Sequence, residues 1–157
     1  MRVLLLALLY STRPLDPIAA ETFDLALHRS PLVRSLVARL EQSNVIVHIQ
    51  SSRQLPTGIN GTTRFVVSRG GYRYLRIAIA AELSTQARAA ILGHELQHAM
   101  EIATSDAHDV ESMRRLFEQQ GEQSGEFFDT RAAVQVERNV RREVLLLQAE
   151  PVVKFHQ

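Results

Sequence analysis

The chain contains no cysteine. That absence excludes disulfides, cysteine-held zinc fingers and thiol nucleophiles, and it leaves His, Asp and Glu as the only strong metal ligands. An excess of either charge is also missing. Eighteen basic against 17 acidic side chains give a formal charge of +1, so the balance predicts neither a nucleic acid nor an anionic membrane as partner. No run approaches the ~20 apolar residues of a bilayer span, which excludes a polytopic membrane protein. Internal repeats and low-complexity tracts are absent too. What is present is a chain of 157 residues, 45% hydrophobic and 22% charged, enough for one enclosed core and short for two.

The N-terminus has the outline of a secretory signal: Arg2, an apolar run over residues 3–10, and small Ala19 and Ala20 after a polar stretch. The expected organisation is a signal over residues 1–20, removed on export to the periplasm or medium, and a single domain over residues 21–157. The apolar run is short, and Ile18 stands where a small residue is usual. The alternative is a first strand or helix packed on the domain of a cytoplasmic protein.

Hydrophobic periodicity supplies the elements. Phe23, Leu27, Leu32, Leu36, Val37 and Leu40 suit one or two amphipathic helical segments, restarted at Pro31 with Ser30 as cap. "NVIVHIQ" (44–50), "TTRFVVS" (62–68) and "YRYLRIAIA" (72–80) are rich in β-branched and aromatic residues, and "RGG" (69–71) is a hairpin turn between the last two. In the third strand Leu75, Ile77 and Ile79 alternate with Tyr74, Arg76 and Ala78, so one face meets helices and the other solvent. Three helices follow. Ser84 caps "TQARAAILGHELQHAMEIA"; the second is "HDVESMRRLFEQQ", with Val110, Met113 and Phe117 on one face and Gly121 past its end. The third begins near Phe128, with a stripe of Ala132, Ala133, Val136, Val140, Val144 and Leu147, and stops at Pro151. The order α-β-β-β-α-α-α is segregated rather than alternating, which predicts an α+β fold with a three-stranded antiparallel or mixed sheet.

The chemistry is concentrated in "HELQH" (94–98). His94 and His98 lie about 40° apart around a helix axis and one turn apart along it, so both imidazoles reach one ion from the same side. Glu95 is offset by about 100° from His94, beside the ion rather than on it, where it can take a proton from an attacking water. Chance gives a chain of this composition such a pattern about 1–2% of the time, so the helical context matters, and it is present. Two ligands leave the ion short of a third from the protein, with the fourth position open to water.

With these residues the chain resembles the zincin metallopeptidases, in the branch whose third ligand is an acidic residue on a later helix. It is also similar to short bacterial proteins, often with export signals, that share "HELQHA" preceded by stretches like "GTTRFV" (61–66) and "RYLRI" (73–77); this likeness covers most of residues 30–148. The resemblance implies Zn2+ as cofactor, His94 and His98 as ligands, Glu95 as catalytic base, and a sheet edge, the strand before the motif helix, along which an extended peptide lies. In the relatives the third ligand is a Glu in a stretch like "E-T-x-A-A". Here the stretch is "DTRAA", so Asp129 occupies the Glu position and Arg131 stands where an acid could be. Asp129 is in line with the apolar stripe of the last helix, where a carboxylate needs a partner such as a metal, but it is also placed to cap that helix.

Other candidates for the third ligand are Glu126, His108 and Glu101. Glu101 is seven residues from His94, too far along a straight helix, and better placed to orient His98 through its second nitrogen. Asp106 and Asp109 read as caps, and His28, His48 and His156 as surface or internally bonded histidines. Tyr72, Tyr74, Arg76, His108 and Arg131 are candidates to stabilise an oxyanion, and the polar side of the third strand either lines a substrate cleft or is simply solvated. The expected function is hydrolysis of peptide or protein substrates. The competing readings are a zinc-binding interaction module without hydrolysis and a structural α+β domain without metal.

Overall fold

A computed structural model describes residues 11–124 and 127–146. The apolar run at 3–10 and Glu126, Leu147, Pro151 and His156 lie outside the described residues.

The fold is α+β, with more strands than the sequence pattern shows. The main sheet has four: β1 (Thr12–Pro14), β2 (Val45–Ser52), β3 (Gly61–Arg69) and β4 (Tyr72–Ala80), in the order β1-β2-β4-β3. It is mixed. β1 and β4 each run parallel to β2, and β3 returns antiparallel to β4 through Gly70 and Gly71, whose φ angles of 59° and 80° are open to glycine at little cost. β1 escapes sequence reading because it is three residues long and ends in proline, which an edge strand tolerates.

Within the segment expected as a signal, residues 11–20 contain β1, Asp16 and the start of α1 (Pro17–Arg29). Asp16 caps α1 through Ala19 N–H and also accepts from the backbone and hydroxyl of Ser51, tying the helix start to β2. A cut after Ala20 would remove all of these contacts.

α1 and α2 (Pro31–Glu41) are two helices because Pro31 cannot continue the first and is well suited to open the second, with Ser30 accepting from Val33 N–H. After β4 come α3 (Thr85–Ala103), capped by Ser84, and α4 (Val110–Gln120), capped by Asp109. A small hairpin then intervenes, β5 (Glu122–Ser124) against β6 (Phe127–Asp129), before α5 (Arg131–Leu146). The last helix therefore starts at Arg131 rather than near Phe128. Ala132 is exposed and only Ala133, Val136, Val140 and Val144 face inward, because the inward stripe follows steps of three and four from Ala133. Val110 also points to solvent, at the first position of α4, and that helix meets the body through buried Phe117 and half-buried Met113.

Among the described residues the helices lie to one side of the sheet, and α1, α2 and α3 pack on a face that carries Val45, Val47, Ile49, Leu75, Ile77 and Ile79. α3 lies between the sheet and α5, with α1 and α2 alongside, and twelve of its 19 residues are buried. It has no solvated face of ordinary width, which is why its hydrophobic pattern runs nearly all round. Its last carbonyls and those of the segment after it are held by Arg73 of β4, whose buried guanidinium donates to Ile102 and Ala103 and to Ser105 and Ala107. No helix among the described residues is long and apolar enough to cross a membrane.

Close packing of α3 on α5 depends on Gly93. A Cβ there would stand 2.7 Å from Cγ2 of Val140, inside van der Waals contact. Helix propensity alone favours Ala over Gly by about 1 kcal/mol, whereas overpacking costs about 1–3 kcal/mol. Gly93→Ala is therefore expected to lower stability in chemical denaturation, and Val140→Ala in the same chain to recover part of the loss. A neutral Gly93→Ala would show that the helices can separate freely at this point.

Candidate metal centre

The motif occupies the middle of α3, and burial dictates what its polar groups must do. The Nε2 atoms of His94 and His98 are 3.1 Å apart and point toward one spot. β6 brings Asp129 to the same spot, with Oδ1 at 2.8 Å from Nε2 of His94 and 3.7 Å from Nε2 of His98. Among the described residues these are the three that could share a metal ion. Ligands about 2.0–2.1 Å from a tetrahedral zinc stand roughly 3.3 Å from one another, the scale observed here. Oδ1 of Asp129 is buried and, despite its closeness to His94, takes part in no hydrogen bond of acceptable geometry. Two ring nitrogens and a carboxylate oxygen this close need positive charge among them, supplied by protons on the rings or by a metal ion.

The other nitrogen of each ring meets a carboxylate. Nδ1 of His98 lies 2.9 Å from Glu101, as the three-residue spacing suggested, and Nδ1 of His94 lies 3.1 Å from Glu137 of α5. Glu101 is in turn bonded by Thr130, and Glu137 by Arg141. Phe117 of α4 packs edge-on against the His98 ring. Glu137 was not visible in the sequence: with Arg141 four residues on, it looks like an ordinary surface ion pair.

Asp129 does not cap α5. The cap is Thr130, whose hydroxyl accepts from Ala133 N–H at 3.1 Å. Asp129 closes the short strand before it, its side chain 46% exposed, so the cluster is walled by protein on the His98 side and open on the Asp129 side.

Glu95 is enclosed on the sheet side of α3. Its Oε2 accepts from the hydroxyl of Thr63 on β3 at 2.7 Å. Gly61, also on β3, leaves the space beside Oε1, where a Cβ would come within 2.7 Å of that oxygen. Burial pushes the Glu95 carboxyl above its ordinary pKa, opposed by the His98 and His94 charges and the Thr63 bond. For both histidines burial acts downward but is outweighed. Asp129, Glu137 and the Glu95 charge raise His94 to about 10, and Asp129, Glu101 and the Glu95 charge raise His98 to about 9. Asp129 itself, although burial would raise it, is held well below the carboxylate range by the two imidazoles.

The remaining candidates lie elsewhere. His108 is exposed beyond the end of α3, where its carbonyl accepts from Ser68, and it does not join the cluster. Tyr74 and Arg76 are on the sheet face opposite α3, and Tyr72 is at the exposed β3–β4 turn. Arg131 is the first residue of α5 and points outward. The edge strand beside the cluster is β3, not the strand preceding α3, because β4 is paired on both sides. Thr63 and Gly61 on that edge carried no sequence signal of a role. Searches with models of protein families, among characterised proteins and among solved structures give no match to this chain.

Without metal, the imidazolium bonds make stability depend on pH. Both histidines have folded values above the ordinary 6.5, so their contribution is complete below about pH 6.5 and is lost as pH rises through 9 to 10. The urea midpoint of chelator-treated protein is expected to fall between pH 7 and pH 10. Zinc, which needs neutral imidazoles, should stabilise more at the upper end of that range than at pH 6. A midpoint flat across the range would contradict the pairing of these rings with Asp129, Glu101 and Glu137.

Proposed function

We propose that the chain is a zinc-dependent peptidase, with His94, His98 and Asp129 as the metal ligands and Glu95 as general base. The observation that carries this reading is the convergence of two Nε2 atoms and one carboxylate oxygen within 2.8–3.7 Å, each ring backed by a carboxylate at its other nitrogen. The donor set fits. Two neutral nitrogens and one charged oxygen suit Zn2+, and three protein ligands beside an exposed side are the arrangement of catalytic rather than structural zinc. When bound, Zn2+ supplies a Lewis acid that polarises a carbonyl and brings the pKa of water toward ~7.

The chain's own groups do the rest. Glu95 takes the proton of the attacking water and returns it to the leaving amine, and Thr63 and the gap at Gly61 hold its carboxylate in place. Glu101 and Glu137 fix the two rings. Among the described residues β3 has an unpaired edge next to Glu95, along which an extended peptide can lie.

Zinc titration and hydrolysis of unfolded protein or peptide substrates test the proposal together. Glu95→Gln is expected to keep zinc and fold and to lose about 10²–10⁴-fold in hydrolysis. Equal activity in variant and parent would remove Glu95 as base. Zinc bound by a parent that hydrolyses none of these substrates would favour a metal-binding module, and no zinc bound would remove both readings.

Asp129 has its own test. Asp129→Asn and Asp129→Ala should each weaken zinc by more than the about 10–100-fold expected of Glu137→Ala, which only orients a ligand. Thr130→Val should instead cost about 1 kcal/mol of metal-free stability through the lost cap. Unchanged zinc affinity in both Asp129 variants would exclude it as a ligand.

A further inference from the structure

The four strands of the main sheet contain five arginines and no acidic residue. Arg73 is turned inward and Arg69 stands at the hairpin end, but the other three line up. The register pairs Arg13 with His48, His48 with Arg76, and Arg76 with Arg64, so one row of basic side chains crosses the whole sheet on the face away from the helices. At the usual strand separation it spans about 14 Å. Like charges directly opposite one another are destabilising, and Arg76 stands directly opposite Arg64. Among the described residues neither Arg64 nor Arg76 has a side-chain ion pair or hydrogen bond, and both are exposed. His48 registers the field: burial first, then Arg13 and Arg76, depress its proton affinity.

Alongside this row, about 6.7 Å along the strands, runs a second one of Ile46, Tyr74 and Val67, paired in register on the same face and half-buried to exposed. A cationic line beside a parallel apolar and aromatic line matches a single strand of nucleic acid, with phosphates along one edge and flat bases along the other. An anionic bilayer fits less well, because Ile46, Tyr74 and Val67 are no longer than the arginines beside them and so offer little to bury past the headgroups.

We propose that this sheet face binds single-stranded nucleic acid, with phosphates on Arg76 and Arg64 and bases against Ile46, Tyr74 and Val67. The net charge of +1 predicted no such partner because the sheet arginines are offset in the total by acidic residues between the elements, such as Asp16, Glu82, Asp106 and Asp109. The proposal is independent of the zinc reading, since α3 is on the other face.

The test is fluorescence anisotropy of labelled oligothymidylate and oligouridylate from low to physiological salt, using the full chain. With two phosphates neutralised, the slope of log affinity against log salt is expected to be about −1.4, at about −0.7 per phosphate. Arg64→Gln and Arg76→Gln should each make it shallower by about 0.7. Tyr74→Ala should weaken binding about tenfold at unchanged slope. Arg64→Lys, which keeps the charge, should keep the slope, so that loss in Arg64→Gln reads charge rather than unfolding; thermal melts of each variant accompany the titrations. No binding at low salt, a slope unchanged in the Gln variants, or binding of phosphatidylglycerol vesicles or polyglutamate but not of oligonucleotide would overturn the proposal.

Discussion

α3 is held between the sheet and α5, and every polar group it carries at that depth has to find a partner within the protein. A buried group left unpaired costs about 1–3 kcal/mol, and a charged one more, so a helix with two imidazoles and two carboxylates in its middle turns is tolerable only because its neighbours are polar at matching places. Thr63 answers Glu95, Glu137 answers His94, and Thr130 answers Glu101, which in turn answers His98. Gly93 and Gly61 let α5 and β3 approach closely enough for those bonds to form. The packing and the site are thus one arrangement. The groups that stay without good hydrogen-bond geometry are those facing the centre of the cluster, at the edge where solvent enters.

Much of this was legible along the chain. Elements with strong periodicity or a capping residue came out nearly residue for residue: Ser84 and the 19 residues after it, Pro31 after Ser30, and the whole of β4. The ligand spacing in "HELQH" is a property of one helix, and so is the reach of Glu101 to His98; local geometry was enough for both. The groups that sequence missed belong to other elements and meet α3 only through tertiary packing. Glu137 lies 43 residues from His94, and Thr63 lies 32 from Glu95, so neither had a local signature. Edge and centre in the sheet were likewise undecidable, because β1 is too short to show alternation and the parallel pairing of β2 with β4, which leaves β3 at the rim, joins strands that are not neighbours in sequence. The contrast between a basic sheet and acidic connecting segments was present in the sequence but disappears in any total.

The start of α5 also decides the proton on a ring it does not touch. Ala133 N–H is a fixed donor, so the Thr130 hydroxyl accepts from it and turns its own hydrogen outward to Glu101. Glu101 is ionised, its carboxyl lowered, against the effect of burial, by His98 and Thr130. A carboxylate can only accept, so the proton between it and His98 must sit on Nδ1 of the ring. In the neutral imidazole that assignment leaves Nε2 bare, with its lone pair directed at Asp129 and His94. The tautomer of His98 is therefore written by the first turn of a helix 29 residues after the glutamate that relays it, and a chain lacking the hydroxyl at position 130 would lose that bias without losing any group that faces the centre.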